Sequence, residues 1–345
     1  IWCLLLPLLS QGLYAIFFWY GMRYAYKHKT YDYRSFSDSL YGKTRHVMSN
    51  LYEICYLIMI GTASAAAFAT GGSTITTLFG IPYWMSTVII GAFIFLIALF
   101  GTSVVRKCAA TLSVLIIIGL VMVLVPNIIA QWGEITASAG RMAGGEMAVL
   151  SSESGAFGPA LWSAVLYFFF QLASVSVMYQ QMEEVTDVKQ INKAAIWIFV
   201  CNFAAMELSI IGLLAVAHVA ELAAASIPML VLVQNGVGAG ILTPVISILI
   251  ILGAISTAVN MISGIVTRCV NAMERRMSSK EEKEKGHLAR NAVFTLLFTF
   301  LAFGIAQFGL MAVVSKGYAY LGYAAFITLF IPFVVHALGT GMKEI

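Results

Sequence analysis

Nine stretches of about 20 residues in this chain are almost wholly apolar, each long enough to cross a bilayer as one helix. They fall at roughly 2–24, 49–72, 82–101, 109–130, 159–181, 194–217, 241–267, 289–312 and 318–338. Hydrocarbon offers no partner for backbone N–H and C=O groups, so a run of this kind pairs its own backbone as a helix. The chain is 60% hydrophobic and only 10% charged, against about 25% charged in soluble domains. A soluble enzyme is excluded, and the expected fold is an all-α polytopic transmembrane helical bundle with the lipid bilayer as its surroundings. Pro82, Pro159 and Pro244 sit near span starts, where helices tolerate proline, whereas Pro332 lies inside the last span and is expected to kink it.

The basic residues set the orientation. All of the 20 Lys and Arg except Arg141 and Lys316 fall on one alternating set of connections, with clusters at Arg23–Arg45 and Arg268–Arg290. By the positive-inside rule that set is cytoplasmic, which puts the C-terminus inside and Ile1 outside. The net charge of +4 is thereby a statement about topology, with no nucleic-acid partner implied. The five cysteines are scattered and unpaired in spacing, as small apolar residues of spans are. An outside start makes a further span upstream the expectation. Ten spans divide into five plus five of opposite sense, the inverted repeat of many secondary transporters. On that division 1–130 is the first repeat, 131–158 an extracellular connecting loop carrying Glu134, Glu146 and Glu153, and 159–345 the second repeat. The outer loop 218–240 is long and fairly apolar, and either folds back as a cover or lies as a plain interfacial loop. The run Ser278–His287 reads as a solvated linker.

Polar side chains inside spans carry what chemistry there is. In Pro159–Gln181 the residues Ser163, Tyr167, Gln171, Ser174 and Met178 recur at helix spacing, on one face of what reads as a single helix. A mid-membrane amide is costly against lipid, so this stripe faces other helices or a solute cavity. Span two offers the small residues Gly61, Thr62, Ser64, Ala65, Ala66 and Gly72, suited to close helix packing or to a cavity wall. Span seven aligns Gly253, Ser256, Asn260, Ser263 and Thr267, with Thr257 beside them; these hard oxygen ligands suit Na⁺, or else small-residue packing. Glu207 is a lone carboxylate in an apolar run, protonated or paired because ionised burial is expensive. It is a candidate for proton coupling or for a hydrogen-bonded structural role. Gln11 and His336 read as satisfied structural groups. The familiar HExxH, GxxxxGK[ST] and GxSxG sequences do not occur, and no enzyme or organic cofactor is expected.

Four short stretches carry a resemblance: Phe79-Gly80-Ile81-Pro82-Tyr83-Trp84, Leu161-Trp162-Ser163-Ala164-Val165-Leu166-Tyr167, Ile227-Pro228-Met229-Leu230, and Ser256-Thr257-Ala258-Val259. With the span pattern they resemble the amino acid–polyamine–organocation superfamily of LeuT-type fold, and more narrowly the bacterial YkvI-like membrane proteins. The resemblance implies a bacterial cytoplasmic-membrane protein lacking here the first helix of its fold. It implies an ion-coupled secondary transporter of a small amino-acid-like solute, with solute bound among Gln171, Ser174, Tyr167, Ser64 and the upstream span. Na⁺ at Ser256, Thr257 and Asn260, or H⁺ through Glu207, would be the coupling ion. Some relatives are sensors, so a receptor that binds such a ligand without moving it is the other expectation. The family's broken helix would fall at 159–181, but no glycine lies between Gly158 and Gly212 to break it.

Overall fold

A computed structural model describes residues 2–100, 102–144, 157–219, 221–222, 225–274, 277 and 280–345. Glu146, Glu153, Arg275, Arg276 and Ser278 lie outside the described residues. Among the described residues nine helices are long and apolar enough to cross a membrane, and no strand forms. The protein is an all-α polytopic helical bundle. Its helices are α1 (Trp2–His28), α2 (Tyr33–Leu40), α3 (Arg45–Phe79), α4 (Tyr83–Phe100), α5 (Thr102–Ala130), α6 (Trp132–Ala143), α7 (Phe157–Ser174), α8 (Val188–Leu214), α9 (Pro228–Gln234), α10 (Ala239–Glu274), α11 (Lys280–Ala306) and α12 (Leu310–Thr340).

Hydropathy locates these spans but misjudges their ends. Helix α3 runs 35 residues and α10 runs 36, well beyond the expected 49–72 and 241–267. The apolar window marks only where a helix is desolvated, and its hydrogen-bonded ladder continues through polar ends such as Arg45–Asn50. Span eight stops at Ala306 rather than 312, because Gly309 takes φ 87, a left-handed conformation that ends the helix before α12 begins.

The chain forms two compact units, residues 1–59, 131–219 and 316–345 in unit 1 and residues 60–130 and 220–315 in unit 2. Each takes spans from both sequence halves, and α3 passes from one unit to the other after Met59.

In unit 1, α1 packs along α7 and α8, and α7 also packs on α12. Aromatic rings fill these contacts: Phe17 lies 5.3 Å from Phe168 and 5.1 Å from Phe330, and Phe170 stacks on Tyr318 at 4.0 Å. The short helix α2 is amphipathic, burying Tyr33, Phe36, Ser37 and Leu40 at helix spacing. Asp32 caps it, accepting the N–H groups of Arg34 and Ser35 at 3.0 Å each. Phe36 stacks on Tyr179 at 4.0 Å and Tyr33 on Tyr56 at 3.9 Å, while Arg34 pairs with Glu53 at 2.8 Å.

Two elements of unit 1 depart from regular helix. Span five is α-helical only to Ser174, then tightens into 3₁₀ turns at Val175–Val177 and Tyr179–Glu183. The continuous helix expected over 159–181 is therefore interrupted, without glycine. Serine supplies the cause: Ser174 Oγ donates to the Gln171 carbonyl at 2.6 Å, and Ser176 Oγ donates to the Ala173 carbonyl. Such back-bonding competes with the helical ladder and bends it. The last span carries a π-helical turn at Phe326–Phe330, just ahead of Pro332. Proline lacks the N–H that would reach the carbonyl four residues back, here that of Thr328. The Tyr41 phenol donates to that carbonyl instead. Burial pushes the Tyr41 phenol up in pKa, so it remains an O–H donor.

In unit 2, α10 packs on α4, α5 and α11. A Cβ at Gly72 of α3 would collide with the Thr87 methyl of α4, so only glycine permits that approach. Of the small residues of span two, Ser64, Ala65 and Ala66 are buried, as packing requires. Within loop 218–240 the described residues from 227 on fold back against the spans. Its helix α9 opens on Pro228 and sinks Leu230 and Val233 into a cluster with Val123 of α5 and Ile246 of α10. Asn127 pins the turn that follows, accepting the Val237 N–H at 2.8 Å and donating to the Val123 carbonyl at 2.7 Å.

Candidate functional site

Helices α7 and α8 of unit 1 bound an open cleft of about 400 Å³. Tyr167 and Gln171 line it from α7, and Asn202, Ala205, Met206, Ser209 and Ile210 line it from α8. The α8 residues recur at three and four positions, as one helix face must. The volume is that of a small-molecule site. The lining has amides, hydroxyls and a thioether but no charged side chain.

Behind the cleft, α1 contributes Gln11, which is fully buried. Gln11 Nε2 donates to Gln171 Oε1 at 2.8 Å and approaches Met206 Sδ at 3.0 Å, joining three spans through one amide. Gln11 Oε1 is buried with no partner among the described residues. One turn beyond Gln171, Ser174 Oγ lies 3.5 Å from the Tyr14 hydroxyl of α1. Ser209 donates its hydroxyl to the Ala205 carbonyl at 2.7 Å.

The stripe expected on span five thus divides. Tyr167 and Gln171 reach the cleft, Ser174 bonds its own helix beside Tyr14, and Ser163 donates to the Pro159 carbonyl at 3.0 Å. Ser64 belongs to unit 2, where its buried hydroxyl has no partner among the described residues, and it does not line the cleft. Ser256, Thr257 and Asn260 also belong to unit 2; on α10 Ser256 is half-buried while Thr257 and Asn260 are exposed. Glu207 is half-buried on α8, one position and so about 100° around the helix from Met206, off the cleft-lining face. Its Oε1 is buried without a partner among the described residues.

Sequence reasoning missed four contributors. Gln11 is no satisfied structural group, since one of its amide atoms is orphaned. Asn202, Met206 and Ser209 went unnoticed beside Glu207, although Asn202 and Ser209 stand seven apart on one helix face, which was the available signal. His336 does find partners: it meets Tyr20 through Nδ1 and Glu344 through Nε2 at 3.1 Å. Cys55, Cys201 and Cys269 are unbridged. Among the described residues no three His, Cys, Asp or Glu side chains gather as a metal site would require.

Fold and site together define a multi-pass helical membrane protein with a mainly apolar cleft that carries a few uncharged polar side chains. Neither a protein-family model nor a curated protein sequence matches the chain.

Proposed function

We propose that the protein is an ion-coupled secondary transporter of a small amino-acid-like solute, and that the α7–α8 cleft receives the solute. The observation that carries this reading is the Gln11–Gln171 amide pair within the spans, buried at Gln11 and half-buried at Gln171, opening on a cleft of small-molecule size. Amides within hydrocarbon are costly, and side chains of this kind mark solute and ion pathways. The interruption of span five just past Gln171 adds support, since irregular backbone at membrane depth is tolerated where it is buried in protein or lines a cavity.

The two units support a five-plus-five repeat of LeuT type. An offset of five spans relates span one to six, two to seven, three to eight and four to nine. Spans one and six fall in unit 1, three and eight in unit 2, and two and seven in unit 2 over half or more of their length, whereas four falls in unit 2 and nine largely in unit 1. Three of the four related pairs thus keep company. On this reading the protein is a YkvI-like member of the amino acid–polyamine–organocation superfamily, in a bacterial cytoplasmic membrane with its C-terminus inside. The Oε1 of Glu207, buried without a partner among the described residues and in the same unit as the cleft, favours H⁺ as the coupling ion. Na⁺ held by Ser256, Thr257 and Asn260 is the competing choice.

The test is uptake of a labelled amino-acid panel into proteoliposomes under an imposed pH or sodium gradient. Accumulation driven by either gradient supports the proposal. Ligand binding in a thermal-shift screen, with no flux under any gradient, makes the protein a sensor instead.

A further inference from the structure

We infer that Met206 fixes the hydrogen-bonding polarity of the cleft, acting through Gln11 on Gln171, so that the cleft receives the oxygen end of its solute. This rests on the cleft being the solute site. An amide side chain can face either way, and its neighbours decide which atom points where. The neighbour here is a thioether, which accepts hydrogen bonds and cannot donate one. It lies 3.0 Å from Gln11 Nε2. Reversing the Gln11 amide would press a carbonyl oxygen against the sulfur, lone pair against lone pair.

The reversed pair has one attraction. Gln171 Nε2 could then donate to Gln11 Oε1, which is otherwise buried and unpartnered. The sulfur opposes that arrangement and the observed one is kept. With Gln11 Nε2 donating at 2.8 Å, Gln171 spends its amide oxygen on α1. What Gln171 offers the cleft is its N–H₂ group, a donor. Among the described residues no cationic side chain lines the cleft to receive a carboxylate or carbonyl oxygen, so this amide is the donor α7 provides besides the Tyr167 hydroxyl, across from the Asn202 amide of α8. Met206 and Gln11 are positioning residues: one holds the other, and the pair decides which end of a solute Gln171 recognises.

The test uses two probes with the same branched apolar end, isovalerate with an acceptor head and isoamylammonium with a donor head. Their affinities are measured on the full chain in nanodiscs for wild type, Met206→Leu and Gln11→Leu. Both substitutions leave the charge unchanged, and Met206→Leu nearly conserves volume. Either one frees Gln171 to turn, so the wild-type preference for isovalerate should fall by about tenfold, the scale of one hydrogen bond reversed. If one variant fails to fold, the other decides. Both variants weakening the probes equally, or keeping the wild-type ratio, would reduce Met206 and Gln11 to packing and overturn the inference alone. Wild type binding neither probe at up to about 10 mM, a weak-fragment range, would overturn the cleft as solute site and this inference with it.

Discussion

Glu207 and Gln11 each hold an oxygen with no partner among the described residues, inside an apolar helix long enough to span a membrane, and each makes a separate prediction. Glu207→Gln keeps size and polarity but removes the proton-carrying group. Under proton coupling, the variant should fold normally and still exchange solute, yet lose accumulation driven by a pH gradient; uptake assayed under imposed pH gradients of graded size checks this. Unchanged accumulation would return Glu207 to a structural role. The competing ion site is tested by replacing Ser256 and Thr257 together with Ala, which removes two oxygens with little change in packing. Sodium coupling requires uptake to become sodium-independent or to vanish; sodium stimulation with unaltered apparent affinity would eliminate the site. Gln11→Leu removes a buried orphaned atom that costs about 1–3 kcal/mol and also the donor to Gln171 Oε1, which can turn to the open cleft, so the two offset and its thermal midpoint should change little. Gln171 was legible because an amide stands out in an apolar run. Gln11 stands out in the same way but reads as a satisfied structural group; its link to Gln171 was not legible, because the two lie 160 positions apart.

At the scale of elements, the last span shows how a break is made good. Pro332 leaves the Thr328 carbonyl short of its helical donor, and Tyr41 supplies one from the end of α2. Tyr41→Phe should therefore cost about 1–3 kcal/mol, the penalty for a buried unpaired acceptor. Adding Pro332→Ala restores an N–H to the ladder and should recover part of that loss, read as thermal midpoints in detergent. Strictly additive effects would contradict the account, since residues sharing one acceptor must couple. The proline break could be read from sequence; the π turn and the rescuing tyrosine could not, because both depend on a contact made 287 positions apart. Span five is the reverse case. Its missing glycine argued for continuity, whereas Ser174 and Ser176 turn their hydroxyls onto the backbone and break it. The α9 fold-back was half legible: Ile227–Leu230 is apolar enough to dock, but only the structure identifies Asn127 as its pin. Asn127→Ala should loosen that turn, measured as faster hydrogen exchange at Val237 with little change elsewhere. Equal exchange in variant and wild type would show that α9 is held by its apolar cluster alone.

At the scale of the whole molecule, the apolar runs and the distribution of Lys and Arg made the bundle and its expected orientation readable, because desolvation and membrane topology act on composition. The two units were not readable, since they interleave spans far apart in sequence and the division depends on tertiary packing. On the proposed function, solute crosses the membrane by way of the α7–α8 cleft. Counterflow tests it most directly: proteoliposomes preloaded with unlabelled amino acids are diluted into labelled solute, with wild type and Gln171→Ala compared at equal levels of folded protein. The account predicts protein-dependent exchange by wild type and its loss, or at least a tenfold fall (about the value of one hydrogen bond), in the variant. Exchange by Gln171→Ala at the wild-type rate and affinity, or wild-type binding with no exchange at all, would contradict it.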